Sequence, residues 1–194
     1  MNVSGPRDVF VYGSRSYAAT VRDLAMECGW RVLGFIDDHA PPSAFVSTFD
    51  DVTAQHAGTS AGMLIGIGYR DLDARWRAWE RVRAAGWDVP ALIHPRAHVA
   101  PSAQIGEGCI LMAGVVVDHR TQVKDACVLW PQACVNHDCL VGANTFLSPQ
   151  VVICGNVRLG EHSFIGAQSV IVDGADLPSR TRLRMGSRYT RRAT

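Results

Sequence analysis

One aliphatic residue recurs every six positions from Val99 to Leu177, through fourteen consecutive positions without a miss. A helix repeats its apolar residues at three and four positions, and a half-buried strand alternates at two, so neither explains this period. The repeat therefore indicates a solenoid. The aliphatic positions are Val99, Ile105, Leu111, Val117, Val123, Leu129, Val135, Val141, Leu147, Ile153, Leu159, Ile165, Ile171 and Leu177.

A second set of smaller residues follows the first at the same period, four positions after each aliphatic one. Its members are Ala103, Cys109, Val115, Thr121, Cys127, Ala133, Cys139, Thr145, Val151, Val157, Ser163, Ser169 and Ala175. One large and one small residue per side suit a triangular solenoid, with the large side chain inside and the small one at the crowded corner. We therefore predict a parallel β-helix of a little over four 18-residue coils. Residues 18 apart should stack about 4.8 Å over one another.

Composition limits the function classes. The 194 residues carry a net charge of +1, which argues against nucleic-acid and membrane-surface partners. No run of 18 apolar residues occurs, and residues 1–7 lack a signal-peptide pattern, so a cytoplasmic protein is expected. The six cysteines form no CxxC pair, and three of them occupy the small-residue set, which favours a reduced packing role over metal or disulfide chemistry.

Short apolar runs alternate with helical patterns before the solenoid. Strands are predicted at 9–12, 32–36, 63–68 and 89–93, and helices between the first two strands and at 71–85. This alternation predicts a small Rossmann-like parallel sheet of the doubly wound type, so the fold class is α/β followed by an all-β solenoid. The expected domains are 1–95 for the sheet, 96–178 for the β-helix and 179–194 for a basic tail.

The first turn of the sheet domain is a candidate ligand site, because strand ends and helix starts of such sheets present backbone N–H groups. Gly13, Ser14 and Arg15 form this turn, but the GxGxxG pattern is missing, which disfavours a dinucleotide cofactor. Asp37, 24 residues beyond Gly13, either meets a ribose or base edge or is a strand-end turn residue. The arginine-rich tail is either a solvated end or a phosphate-binding segment.

His137 is the candidate general base. It lies two residues past a ladder aliphatic and is followed by Asp138, a carboxylate that can orient the ring and support its charge. A surface histidine is the alternative. His119 stands 18 residues earlier and should stack on His137, which raises the possibility of a metal site. His162 has a different position in its repeat, and zinc needs three convergent ligands, so a carbonic-anhydrase-like metalloenzyme is a secondary hypothesis.

These residues carry a resemblance that covers nearly the whole chain. The repeat resembles that of the hexapeptide-repeat acyltransferases, whose parallel β-helix is left-handed. The full arrangement, with the Leu92-Ile93-His94-Pro95 junction, is similar to the sugar-nucleotide N-acetyltransferases of bacillosamine and perosamine synthesis, in the sialic acid O-acetyltransferase-like group. The matching stretches are Asn136-His137-Asp138-Cys139-Leu140-Val141-Gly142, Gly155-Asn156-Val157-Arg158-Leu159-Gly160 and Phe164-Ile165-Gly166.

The resemblance implies transfer of an acetyl group from acetyl-CoA to the amine of a nucleotide-linked amino sugar, without a metal. His137 and Asp138 match the family's base and its acid, and Gly155 matches the backbone donor to the oxyanion. It also implies a homotrimer with active sites between β-helices. The residues implied in CoA binding are Phe146, Gly155, Ala167 and Arg184, and those implied in binding the sugar nucleotide are Gly13, Ser14, Arg15, Asp37 and Trp130.

The chain departs from the family pattern around this base. The family's glycine-rich first turn is replaced by Gly13-Ser14-Arg15-Ser16-Tyr17-Ala18, and its closing Gly-x-Pro-Ala motif by Gly186-Ser187-Arg188-Tyr189. Phe146 stands where the family commonly has histidine, and Trp130 where it often has asparagine. Two other functions therefore stay open: O- or N-acylation of another small acceptor, and a non-catalytic trimeric scaffold.

Overall fold

The computed structural model describes residues 7–41, 43, 45–56 and 58–190. The chain divides into two compact units between Leu92 and Ile93. No helix in these described ranges is long and apolar enough to span a membrane.

The first unit is a four-stranded parallel sheet with helices, as predicted. Its elements are β1 (Asp8–Tyr12), α1 (Ser16–Glu27), β2 (Arg31–Ile36), β3 (Val46–Ser47), α2 (Phe49–Gln55), β4 (Gly62–Ile65) and α3 (Leu72–Ala84). The strand order is β3-β2-β1-β4. The paired strands β1 and β4 supply fully buried residues such as Val9, Val11 and Met63, so the core of this unit lies on them.

Two parts of this unit differ from the prediction. The short helix α2 was not expected, although Thr48 caps it by accepting a hydrogen bond from the Asp51 N–H, a recognisable start signal. The predicted strand at 89–93 does not join the sheet, where only Asp88 bridges to Gly62. Pro90 lacks the N–H that a ladder needs, and the chain passes directly into the second unit.

The second unit is a solenoid of two-residue strands that recur every six residues. The strands are β5 (Leu92–Ile93), β6 (His98–Val99), β7 (Gln104–Ile105), β8 (Ile110–Leu111), β9 (Val116–Val117), β10 (Gln122–Val123), β11 (Val128–Leu129), β12 (Cys134–Val135), β13 (Leu140–Val141), β14 (Phe146–Leu147), β15 (Val152–Ile153), β16 (Arg158–Leu159), β17 (Phe164–Ile165), β18 (Val170–Ile171), β19 (Asp176–Leu177), β20 (Arg182–Leu183) and β21 (Arg188–Tyr189).

These strands form three parallel sheets. Sheet I contains β5 and every third strand to β20, sheet II runs from β6 to β21, and sheet III runs from β7 to β19. The unit therefore makes about five turns, which confirms the parallel β-helix and is consistent with the left-handed form. Each strand residue pairs with the residue 18 positions away in the next strand of its sheet, as Val123 does with Val141.

Burial in the solenoid follows the two predicted residue sets. The aliphatic positions from Leu111 to Leu177 and the whole small-residue set are buried. A third set, which the sequence analysis did not identify, has left-handed φ angles of 53° to 73° at the turns. It contains Gly108, Gly114, Arg120, Ala126, Gln132, Asp138, Asn144, Gln150, Asn156, His162, Gln168, Gly174, Arg180 and Gly186.

The solenoid continues past the predicted end at Pro178. Strands β20 and β21 pair in parallel with β17 and β18, so residues up to 190 form a further coil and not a solvated tail. The physical reason is that Leu183 and Tyr189 occupy the six-residue ladder and are partly buried there. Arg191 and Arg192, predicted as part of the tail, lie outside the described residues.

Candidate active site

Most of the reactive residues predicted in the solenoid lie in the turns between sheets II and III. His119, His137, Gly155 and Asp173 succeed one another at intervals of 18 residues and therefore form one column at this corner. The residue after each of them has a left-handed φ angle. These turn residues are Arg120, Asp138, Asn156 and Gly174.

His137 and Asp138 form a hydrogen-bonded pair. The left-handed turn at Asp138, with a φ of 59°, brings its side chain beside the preceding ring. The distance from His137 Nδ1 to Asp138 Oδ2 is 2.8 Å. An ionised carboxylate only accepts hydrogen bonds, so the proton is assigned to Nδ1, and Nε2 keeps its lone pair. The His137 side chain is 47% exposed, which leaves Nε2 accessible to a substrate.

Arg120, which the sequence analysis did not select, holds the Asp138 carboxylate from the preceding coil. Its Nε and Nη2 atoms donate to Asp138 Oδ1 and Oδ2 at 2.7 and 2.8 Å. These charge-assisted bonds, together with the His137 contact, hold the pKa of Asp138 well below its ordinary value of 3.8. The signal was present in the sequence, since Arg120 precedes Asp138 by one 18-residue coil.

Gly155 lies against the His137 ring from the following coil. A Cβ at this position would stand 2.6 Å from His137 Cε1 and 2.8 Å from His137 Nε2, so only glycine leaves the ring in place. The Gly155 N–H makes no hydrogen bond within the described residues and is free to donate to a ligand. The structure thus brings together His137, Asp138 and Gly155, the three residues expected to perform the chemistry.

The histidines do not converge on a metal. His119 pairs with Asp118 at 2.6 Å, one coil before His137. His162 lies at the corner between sheets III and I, where its Nδ1 is 2.9 Å from Asn144 Nδ2. Within the described ranges, no group of three His, Cys, Asp or Glu residues is arranged to bind a metal ion.

An open groove of about 400 Å³ runs over sheet III beside Asp138. Three cationic side chains line it, those of Arg120, Lys124 and Arg158, together with Asn156. Because one carboxylate faces three cations, the groove has an excess of positive charge and suits an anionic ligand.

The residues expected to contact CoA are distributed differently. Phe146 is on sheet I, Arg184 comes directly after a strand of the same sheet, and Ala167 is in the turn from sheet I to sheet II. Trp130, which was expected to bind the sugar nucleotide, also comes directly after a strand of sheet I. Phe146 is only 2% exposed. Its ring centroid lies 5.9 Å from that of Trp130 and 6.0 Å from that of Phe164, so it packs in an aromatic row. Of the four residues predicted for CoA, only Gly155 lies at the His137 corner.

The predicted ligand residues of the first unit do lie together. Gly13, at a φ of 118°, packs against the Gly66 carbonyl, and Ser14 donates a hydrogen bond to Asp37. Burial raises the pKa of Asp37, but hydrogen bonds from Ser14 and the His39 N–H outweigh it and lower the pKa below its ordinary value. Arg15 is exposed at the start of α1. An ionised Asp37 thus stands next to the turn that opens α1.

The solenoid and its corner define a class of protein. Residues 138–173 match the family described as bacterial transferase hexapeptide (six repeats), and residues 96–119 match the hexapeptide repeat of succinyl-transferase. Over these residues the second unit is similar to hexapeptide-repeat transferases. No curated protein sequence matches it at a significant level.

Solved structures extend this similarity over both units. The acetyltransferase domain of PglB from Neisseria gonorrhoeae FA1090 is 28% identical, with a TM-score of 0.85, and the match covers 97% of this chain and 93% of that one. The same domain has been solved in complex with acetyl coenzyme A. PerB from Caulobacter crescentus, in complex with CoA and GDP-perosamine, is 26% identical, with a TM-score of 0.86 and coverage of 97% and 90%.

Proposed function

We propose that this chain transfers an acetyl group from acetyl-CoA to the amine of a nucleotide-linked amino sugar, with His137 as the general base. The observation that carries the proposal is the His137 ring, held by Asp138 at Nδ1 and lying against Gly155 at Nε2. The acetyl-CoA and GDP-perosamine bound by similar structures support the donor and the acceptor class.

The proposed reaction is a direct attack on the thioester. The acceptor nitrogen forms a bond to the acetyl carbonyl carbon while one of its protons moves to His137 Nε2. Asp138 supports the positive charge that the imidazole then carries. The Gly155 N–H donates to the oxygen that becomes negative in the tetrahedral intermediate. Collapse of the intermediate breaks the C–S bond, and the CoA thiolate leaves and takes up a proton from the imidazolium.

Two anion-binding features support a phosphate-bearing acceptor and donor. The groove beside Asp138 carries Arg120, Lys124 and Arg158. In the first unit, Gly13, Ser14 and Arg15 lead into the N-terminus of α1, where free backbone N–H groups favour a phosphate. We assign the nucleotide part of the acceptor to this turn and to Asp37.

A homotrimer completes the proposal. Phe146 lies on sheet I and Arg184 directly after one of its strands, whereas His137 lies at the corner between sheets II and III. A second copy that brings its sheet I to the His137 corner would place residues from both places around one donor. The trimer implied by the family resemblance supplies such a contact.

The proposed function is tested by thiol release from acetyl-CoA with a panel of nucleotide-linked 3-amino and 4-amino sugars. We expect rapid release with one of them and an acetylated sugar as the product. Silence across the panel with CoA still bound would overturn the acceptor class. Silence without CoA binding would overturn the acyltransferase function and favour a scaffold.

A further inference from the structure

A second polar side chain, that of Asp173, lies next to Gly155, and the proposed reaction does not use it. A Cβ on Gly155 would lie 2.8 Å from His137 Nε2 and also 2.9 Å from Asp173 Oδ1. His137 belongs to the coil before Gly155 and Asp173 to the coil after it. His137 Nε2 and Asp173 Oδ1 therefore lie less than 6 Å apart on either side of Gly155, so one small group of a substrate in front of Gly155 can contact both.

Asp173 is available for this contact. Its side chain is exposed, and Asn156 Nδ2 donates to Oδ1 at 3.3 Å, a long bond that leaves acceptor capacity on the carboxylate. It stands 18 residues beyond Gly155 in the column of His119 and His137.

We infer that Asp173 binds the attacking group of the acceptor and selects an amine over a hydroxyl. This inference rests on the proposed function. A primary amine has two hydrogens, so one can bond to His137 Nε2 while the other bonds to Asp173 Oδ1. A hydroxyl has a single hydrogen, which His137 takes, and its oxygen lone pairs then face the Asp173 carboxylate without a proton between them.

The transition state strengthens this preference. As the nitrogen bonds to the carbonyl carbon it gains positive charge until its proton leaves, and a carboxylate in contact with it stabilises that charge. The oxygen of an attacking alcohol gives its one proton to His137 and retains none for Asp173. Asp173 therefore lowers the barrier for amines more than for alcohols.

The test compares two acceptors, a nucleotide-linked 4-amino sugar and its 4-hydroxy counterpart, with acetyl-CoA as donor. Asp173→Asn keeps the shape but removes the charge, and Asp173→Ala removes the contact. We expect the ratio of kcat/KM for amine over hydroxyl to fall about 10- to 100-fold in both variants, the size of one charged hydrogen bond. The KM for acetyl-CoA should stay unchanged.

Glu161→Gln is the matched control, because Glu161 is exposed and has the equivalent turn position at another corner. It should leave the ratio as in the wild type. A wild-type ratio in both Asp173 variants, or an equal loss for both acceptors, would overturn the inference alone. Absence of transfer by the wild type would overturn the proposed function and the inference with it.

Discussion

At the scale of single residues, alanine substitutions at Gly155 and Gly174 should have different effects, the first on the reaction and the second on stability. A methyl group at Gly155 meets the His137 ring, whereas one at Gly174 meets no atom within 4 Å but forces alanine into a φ of +68°. We expect Gly155→Ala to lower kcat about 100-fold by displacing the ring, with little change in the free energy of unfolding. Gly174→Ala should lower that free energy by about 1 kcal/mol and leave kcat nearly intact.

Thiol release and chemical denaturation on the same two proteins measure this contrast. Since the two glycines lie in successive coils at the same corner, each variant is the control for the other. Full activity in Gly155→Ala would show that the His137 position does not matter to the reaction.

The Arg120–Asp138 pair predicts a pH dependence of stability. The pKa of Asp138 is lowered in the folded state, chiefly by Arg120, so the stabilisation is present above about pH 4 and is lost as the pH falls through the folded-state pKa. Arg120→Ala should therefore have a lower Tm than the wild type at pH 7, and the gap should narrow below about pH 4. The effect is small because both side chains are exposed to solvent.

Arg120→Lys is the control for charge without the two-pronged geometry, and its Tm at neutral pH should fall between the other two. A Tm gap that stays constant from neutral to strongly acidic pH would show that the pair does not stabilise the fold.

The site residues that could be predicted are those with a local signal. His137 and Asp138 are neighbours in the sequence, and the resemblance added Gly155. Arg120 and Asp173 were missed because their partners lie one coil away, and the 18-residue spacing was applied only to the histidines. The left-handed turn at Asp138, which brings its carboxylate to the ring, is a property of the folded coil.

At the scale of the strand, β18 offers a paired test of the core. Ile171 is fully buried inside the solenoid, while its neighbour Val170 is 37% exposed on the outer face. Ile171→Ala should lower the free energy of unfolding by about 2–5 kcal/mol, because it removes buried contacts and leaves a cavity. Val170→Ala should change it by less than about 0.5 kcal/mol. Equal effects, measured by denaturant unfolding, would contradict the register.

The strands of the solenoid could be predicted because each contains one large buried residue, and these residues recur every six positions. The coil beyond Pro178 was missed although Leu183 continues the aliphatic ladder, because the next ladder residue, Tyr189, is not aliphatic and the outer positions are arginines. In the first unit, α2 was missed because it has only seven residues and its helical periodicity is short. Its signal was the cap formed by Thr48 and Asp51.

At the scale of the whole molecule, the repeat supplies a regular frame, and the proposed function places the chemistry at one corner of it. Every turn at that corner stacks about 4.8 Å from the next, so residues 18 apart meet a bound substrate in order. Asp138 contacts the His137 ring and is itself held by Arg120, Gly155 leaves room for that ring, and Asp173 lies on the other side of Gly155. The family matches and similar structures agree with the class that this corner defines.

The central claim is that His137 is the general base, and the most direct measurement is thiol release by His137→Ala beside His98→Ala. His98 is an exposed histidine on β6 of the same solenoid, so it controls for loss of an imidazole elsewhere. We expect kcat to fall at least about 100-fold in His137→Ala and to stay at the wild-type value in His98→Ala. Unchanged kcat in His137→Ala, in a folded protein that still binds acetyl-CoA, would contradict the central claim.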